Sequence, residues 1–302
     1  MLFRTIERKN IHLLTDFGFK RIFGTEEHKK NLIRFLNAFL KEHTGTITDI
    51  TYLPTEQLGV VEDEKRLVFD VFCSTQKDDH IIVEMQRATQ EFFRKRIVAY
   101  SARTISNLLR KGDREYDYPK VISILLADFH LPDLREDDTF MQYVTLKDDK
   151  NRIFLDRMAF VLIDLTKFAA PRKFEQFADE RQKWCYAIKN MWRLSDGDIP
   201  PGDIPFHELY EECKVKNLND MEKQEYEKSI LEYEDVQEAL AYQRKLGKDE
   251  GFNDGYEKGM EKGMKKGREE TLLQTAKRLL EMGFSLSDVV KVTGLSEGEL
   301  QE

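Results

Sequence analysis

Two short apolar runs in this chain each carry a carboxylate. Asp70 lies within Leu67-Val68-Phe69-Asp70-Val71-Phe72-Cys73, and Glu84 lies within Ile81-Ile82-Val83-Glu84-Met85-Gln86. An unpaired charge buried in such a strand costs several kcal/mol, so something must answer it. A divalent cation is one candidate; a basic neighbour such as Arg87 or Arg103 is the other. Alternation along a strand puts Glu84 and Gln86 on the same face. Asp70 joins them only if the connecting loop is odd in length or a bulge compensates. A three-residue loop of Lys77, Asp78 and Asp79 would pair Gln76 with His80, Phe72 with Glu84 and Asp70 with Gln86. The two carboxylates, with the Met85 carbonyl, would then suit Mg²⁺ or Mn²⁺, hard cations that prefer oxygen ligands and retain water. Such an ion activates water and neutralises charge on a phosphodiester. Gln86 would orient the water or a phosphate oxygen without adding charge.

The surrounding pattern supplies the elements that must position these groups. Phe17 to Leu40 has apolar residues at helical spacing, broken near Gly24-Thr25. Residues 47–58, 66–74 and 80–86 read as strands, 91–111 as a helix, and 120–128 as a continuous apolar strand typical of a covered sheet. The order α, β, β, β, α, β predicts an α/β fold, a mixed sheet with helices packed on it. A strand at 159–165 and a helix at 174–192 extend the same domain. Asp196 to Asp203 is dense in breakers, and 207–245 is helical and charged. Four segments are therefore expected: a core at 1–195, a charged helical extension at 196–246, a glycine repeat at 247–270 and a small helical segment at 271–302.

Several of these residues occur together in a known family. Asp16-Phe17-Gly18-Phe19-Lys20-Arg21-Ile22-Phe23-Gly24, then Phe69-Asp70-Val71, Val83-Glu84-Met85-Gln86, and a basic helix ending Leu109-Arg110-Lys111-Gly112 resemble the Rpn family of recombination-promoting nucleases and transposases, within the PD-(D/E)XK superfamily. The resemblance spans residues 12–195, and E-x-Q is the form of the (D/E)-x-K element this family uses. It implies metal ligation by Asp70 and Glu84, a polar catalytic role for Gln86, a supporting role for Asp16, and DNA as substrate. Phe69 stands where the superfamily pattern has a proline. Thr15-Asp16 is equally an ordinary helix cap.

Charge distribution bears on the substrate more than the net charge of −8 does. Between Arg87 and Lys111 seven basic residues face one acid, Glu91, and Arg96, Arg103 and Arg110 recur every seven residues with Tyr100 close by. This is either a phosphate-binding ridge or a solvated helix face. Acidic residues concentrate from Glu208 to Glu238. Cys73, Cys185 and Cys213 lack paired metal or redox spacing and read as reduced packing residues. Nothing resembles a signal peptide or a bilayer-spanning run, so a cytoplasmic protein without membrane association is expected.

Gly247, Gly251, Gly255, Gly259, Gly263 and Gly267 recur every four residues. Such a repeat fits either a linker or a helix through which copies of the chain associate. The last residues suggest short helices capped by Ser285 and Ser296, more a capping or dimerising bundle than a DNA reader. The leading expectation is a Mg²⁺-dependent DNA endonuclease. The competing one is an oligomeric DNA-binding or interaction module that keeps the fold without efficient catalysis.

Overall fold

The computed structural model describes residues 8–57, 67–88, 92–109, 116–134, 139–296 and 298–300. Glu91, Arg110 and Lys111 lie outside this set. The chain divides into two units, Met1–Gln237 and Glu238–Glu302.

In the first unit, helices α1 (Asp16–Phe23) and α2 (Lys29–Thr44) precede strands β1 (Ile50–Tyr52), β2 (Glu56–Gln57), β3 (Leu67–Val68), β4 (Val71–Thr75) and β5 (His80–Gln86). Helix α3 (Phe93–Leu108) leads to β6 (Val121–Ala127), β7 (Met141–Lys147) and β8 (Ile153–Asp164), followed by α4 (Glu180–Asn190), α5 (Ile204–Glu212) and α6 (Asp220–Glu281). Six strands form one sheet in the order β1-β4-β5-β6-β8-β7. The β5/β6 and β6/β8 pairs are parallel and the others antiparallel, so the sheet is mixed as expected.

Both faces are covered, which is why the central strands read as continuous apolar runs. Odd-numbered residues of β5 (Ile81, Val83, Met85) face a core built with α1, α2 and α4, around Phe19, Phe35 and Trp184. On the other face, Phe93 and Ile97 of α3 pack on Leu125, Ala127 and Leu162, and Ile105 packs near Phe72 and Ile82.

Four details depart from the pattern-based reading. The 66–74 run is broken at Asp70, which lies between β3 and β4. The half-exposed edge strand β7 was not foreseen, and β8 starts at Ile153 rather than 159. The helix expected over 174–192 shrinks to α4 between short 3₁₀ turns. In each case the local apolar pattern was ambiguous and tertiary packing decided the limits.

The hairpin loop has three residues, but they are Gln76, Lys77 and Asp78. Thr75 N donates to Asp79 O at 2.9 Å, and the ladder runs Ser74↔His80, Phe72↔Ile82 and Val71↔Val83. Asp78 takes the left-handed position (φ 65°), which aspartate tolerates and which fixes where a three-residue loop closes. The Gln76 side chain is drawn off to the Thr46 carbonyl at 2.9 Å. The register is therefore shifted by two from the expected one. Parity survives, and Asp70 now stands opposite Glu84 instead of Gln86.

At the entry, Thr15 caps α1. Its hydroxyl donates to His12 O at 2.7 Å and accepts from Gly18 N at 3.0 Å. Gly18 has no room for a side chain, because a Cβ there would lie 2.4 Å from His12 O and 2.8 Å from Thr15 Oγ1.

In the second unit, the glycine repeat is helical as part of α6. A Cβ at any of the six glycines would meet open space among the described residues. Helix α7 (Leu286–Thr293) is capped by Ser285 and closed by Gly294 at φ 71°, and Val289, Ala276 and Leu295 form a small core. No helix follows Ser296 among the described residues.

Gly18→Ala is expected to destabilise the protein by about 2 kcal/mol or more, since the obstruction is a backbone carbonyl that cannot move aside without unseating the cap. Urea unfolding of the two proteins measures this. An unchanged midpoint would show that the segment before α1 yields freely.

Candidate functional site

Strand β4 begins at Val71, so the N–H of Met85 lies beyond the end of the β4 ladder. The Asp70 side chain takes it instead, with Oδ2 accepting from Met85 N at 2.7 Å. This bond fixes the Asp70 carboxylate across the hairpin. Glu84, on the same face as Ile82, is only 6% exposed, and its Oε1 has no hydrogen-bond partner among the described residues. Gln86 closes β5, with its carbonyl accepting from Asp128 N at 2.7 Å.

Burial, and then the adjacent Asp70 charge, push the Glu84 carboxyl up to about 8. Arg96, the Asp70 N–H and the Gln86 side chain pull the other way. Asp70 is also raised, by burial first. The Met85 N–H opposes this, the Asp16 charge adds to it, and Lys20 and Arg87 offset it. Two buried carboxylates side by side cannot both be cheaply ionised without a cation.

Asp16 opens α1 and pairs with Lys20 at 2.9 Å, while the cap itself is Thr15. Asp16 and Asp70 line one cleft of about 650 Å³, whose opposite wall is the start of α6 with Glu222, Glu225, Lys228 and Glu232. Glu84 is not among the lining residues of that cleft. On the α3 side, the Arg96 guanidinium lies 5.7 Å from the Tyr100 ring centre. Burial raises Tyr100, and the Glu84 and Asp70 charges raise it further while Arg96 opposes. Arg96 and Tyr100 therefore belong to the carboxylate neighbourhood. Arg103 is half-buried further along α3, and Arg110 falls outside the described residues.

Arg87 was a candidate neighbour of the carboxylates in the sequence reading, whereas Lys20 and the α6 glutamates escaped it. The i,i+4 spacing of Asp16 and Lys20 could have revealed Lys20; the α6 wall is a long-range contact with no local signal. The positive charges that favour ionisation are thus those of Lys20 and Arg87 for Asp70, and of Arg96 for Glu84.

Among the described residues, no group of three or more His, Cys, Asp or Glu side chains is arranged to hold a metal. The donor set consists of two hard carboxylates with an unpartnered buried oxygen. It fits an ion that completes its shell with water and phosphate, as Mg²⁺ does.

No helix among the described residues is long and apolar enough to cross a membrane. No curated protein matches the chain. No solved structure matches it either. A family model described as PD-(D/E)XK nuclease family transposase matches residues 13–243, which takes in both carboxylates, the whole mixed sheet and the first turns of α6. The chain belongs to the PD-(D/E)XK nuclease family transposases.

Proposed function

We propose that the protein is a Mg²⁺- or Mn²⁺-dependent endonuclease that hydrolyses DNA phosphodiesters in recombination or transposition. The observation that carries this reading is the Glu84 carboxylate, buried beside Asp70 with one oxygen unpartnered. Asp70 and Glu84 hold the cation. When bound, the ion activates a water and neutralises charge on the scissile phosphate. The Gln86 amide orients that water. Arg96 supplies the fixed positive charge that a lysine at position 86 would otherwise bring, and Tyr100 packs against it. Asp16 supports the cation from across the cleft, through its effect on Asp70. Arg103 continues the basic side of α3 toward the DNA backbone, and Arg110 is assigned to the same backbone contact from its sequence position alone.

Self-association through α6 is the second part of the proposal. Phe252, Tyr256, Met260 and Met264 each follow a glycine and are exposed, with the Phe252 and Tyr256 rings stacked at 6.5 Å. They form a ridge beside a glycine groove, both running along the four-residue row, and two such rows interdigitate at about −50°. Residues 247–257 carry Asp249, Glu250, Asp254 and Glu257 against Lys248, and residues 258–268 carry five basic residues, Lys258, Lys262, Lys265, Lys266 and Arg268, against Glu261, ahead of Glu269 and Glu270. An antiparallel crossing of two copies therefore joins unlike charges.

Wild type is expected to nick plasmid DNA with Mg²⁺ or Mn²⁺ and not in EDTA. Asp70→Ala and Glu84→Ala should each lose about a hundredfold or more of that activity. Arg96→Ala should lose more than Arg96→Lys. Cutting that survives both carboxylate substitutions sinks the assignment.

The Glu84 shift also has a sign that can be measured without metal. Its folded value lies above its ordinary one of 4.5, so its contribution to stability is full below about pH 4.5 and is lost as pH rises through about 8. In EDTA, wild type should lose stability relative to Glu84→Gln as pH climbs over this range, by up to about 1.4 kcal/mol per unit. Parallel pH profiles for the two proteins would contradict it.

For α6, light scattering should show a multimer for wild type and a smaller species for Gly255→Leu/Gly259→Leu. A wild-type monomer at all concentrations would end the self-association reading.

A further inference from the structure

A further buried carboxylate sits on the same sheet edge and has no part in the site above. Asp164 ends β8 and is fully buried. Its Oδ1 accepts from Thr166 N at 2.9 Å and from Thr166 Oγ1 at 2.5 Å, and its Oδ2 accepts from Leu131 N at 3.1 Å. Thr166 Oγ1 lies 2.7 Å from His130 Nδ1, which is itself 3.5 Å from Asp164 Oδ2.

This arrangement fixes the imidazole. The single Thr166 proton goes to the carboxylate, so the hydroxyl must accept from Nδ1–H. Nε2 is left for something else, and the His130 side chain is 61% exposed. Stapling of the two loops accounts for Asp164 and Thr166, since three donors already satisfy the carboxylate. It does not account for an oriented, exposed imidazole.

The position of the relay says what it meets. Gln86 pairs with Ala127 and Ala127 with Asp164, so the three form one row across the sheet with side chains on one face. Two strand spacings put Asp164 about 10 Å from Gln86. The row lies at the carboxyl ends of three parallel strands, the edge where ligands of open α/β sheets gather. Phe129 packs on Phe93 with ring centres 5.7 Å apart, which ties the His130 loop to the start of the helix that bears Arg96.

We infer that His130 contacts, through Nε2, a backbone phosphate flanking the scissile one. The identity of the ligand as nucleic acid rests on the nuclease reading. Against a phosphate the ring binds in its doubly protonated form, donating Nε2–H. The buried Asp164 carboxylate, directly and through Thr166, balances the ring's charge from behind. Asp164 and Thr166 are positioning residues and His130 touches the substrate.

Binding of a short fluorescein-labelled DNA duplex to the full-length protein in EDTA tests this, read as affinity against salt concentration. His130→Ala should weaken binding about fivefold to tenfold and lower the salt slope by about one, the signature of one lost phosphate contact. His130→Lys should keep most of the affinity and the slope. Thr166→Val should fall between, since the imidazole remains but is no longer oriented. Wild-type affinity and slope in His130→Ala overturn the inference, and so does weaker binding with an unchanged slope, which a distorted loop would give. If His130→Ala does not fold, the lysine and valine variants decide the matter alone. Because no metal is present, the result separates from the nuclease reading. A protein that never cuts can still lose the phosphate contact, and one that cuts normally can prove to lack it.

Discussion

Placing Glu84 in the middle of β5 imposes a requirement on everything around it. The strand is central, covered on both faces, and bordered by β4 and β6, so Glu84 keeps only 6% of its surface exposed. Its nearest neighbour in charge is another carboxylate, and burial and like charge together hold it protonated well into the neutral range. A fold under selection for stability alone would replace such a pair with apolar residues of similar volume at little cost or at a gain. Retaining it makes sense where a cation completes the arrangement. Around that pair, the surroundings are organised to bring positive charge close without neutralising it: Arg96 from α3, Lys20 from α1 and Arg87 just past the strand.

The hairpin that joins the two carboxylates does its work through the turn. By strand alternation, a loop of even length would have separated Asp70 from Glu84 across the sheet. Parity was a condition of the site rather than a reading of the sequence, since a two- or four-residue loop around Asp78 and Asp79 stayed open. The closing residue was not legible, since either aspartate could take the left-handed position. Asp78 takes it because Gln76 is recruited by the Thr46 carbonyl and Thr75 then pairs with Asp79. Moving the loop by one residue moved the register by two and turned an expected Asp70–Gln86 pairing into a direct confrontation of Asp70 with Glu84. The site became more tightly coupled than the alternation pattern alone implied.

Other features divide in the same way between local and distant causes. The apolar run of β6, the Thr15 cap and the basic character of α3 are written in contiguous residues and were readable. That Arg96 and Tyr100 turn toward the carboxylates, while Arg103 lies further along, depends on how α3 lies on β5 and β6, which no periodicity specifies. The edge strand β7 is half-exposed, and its mixed polarity hides it. The α6 wall is recorded only in pairings between residues some two hundred positions apart, such as Arg21 with Glu222 at 3.2 Å and the Phe17 N–H donating to Ser229 Oγ at 3.1 Å.

That wall also changes how the electrostatics of the cleft should be understood. Asp16, Asp70, Glu222, Glu225 and Glu232 outnumber Lys20, Arg21 and Lys228 among its lining residues. A phosphate entering on its own meets net repulsion, whereas a divalent cation is drawn in. In the proposed reaction the ion and the DNA therefore depend on each other. A bound cation would offset the cleft's carboxylates and make it tolerable to a phosphodiester, completing its shell with oxygens from outside the protein. Such mutual dependence is a coupling free energy between two ligands and is reciprocal by linkage. Under the proposed function, an acidic protein of net charge −8 would act on a polyanion by holding the backbone on the basic α3 side and engaging it on the acidic side through a cation.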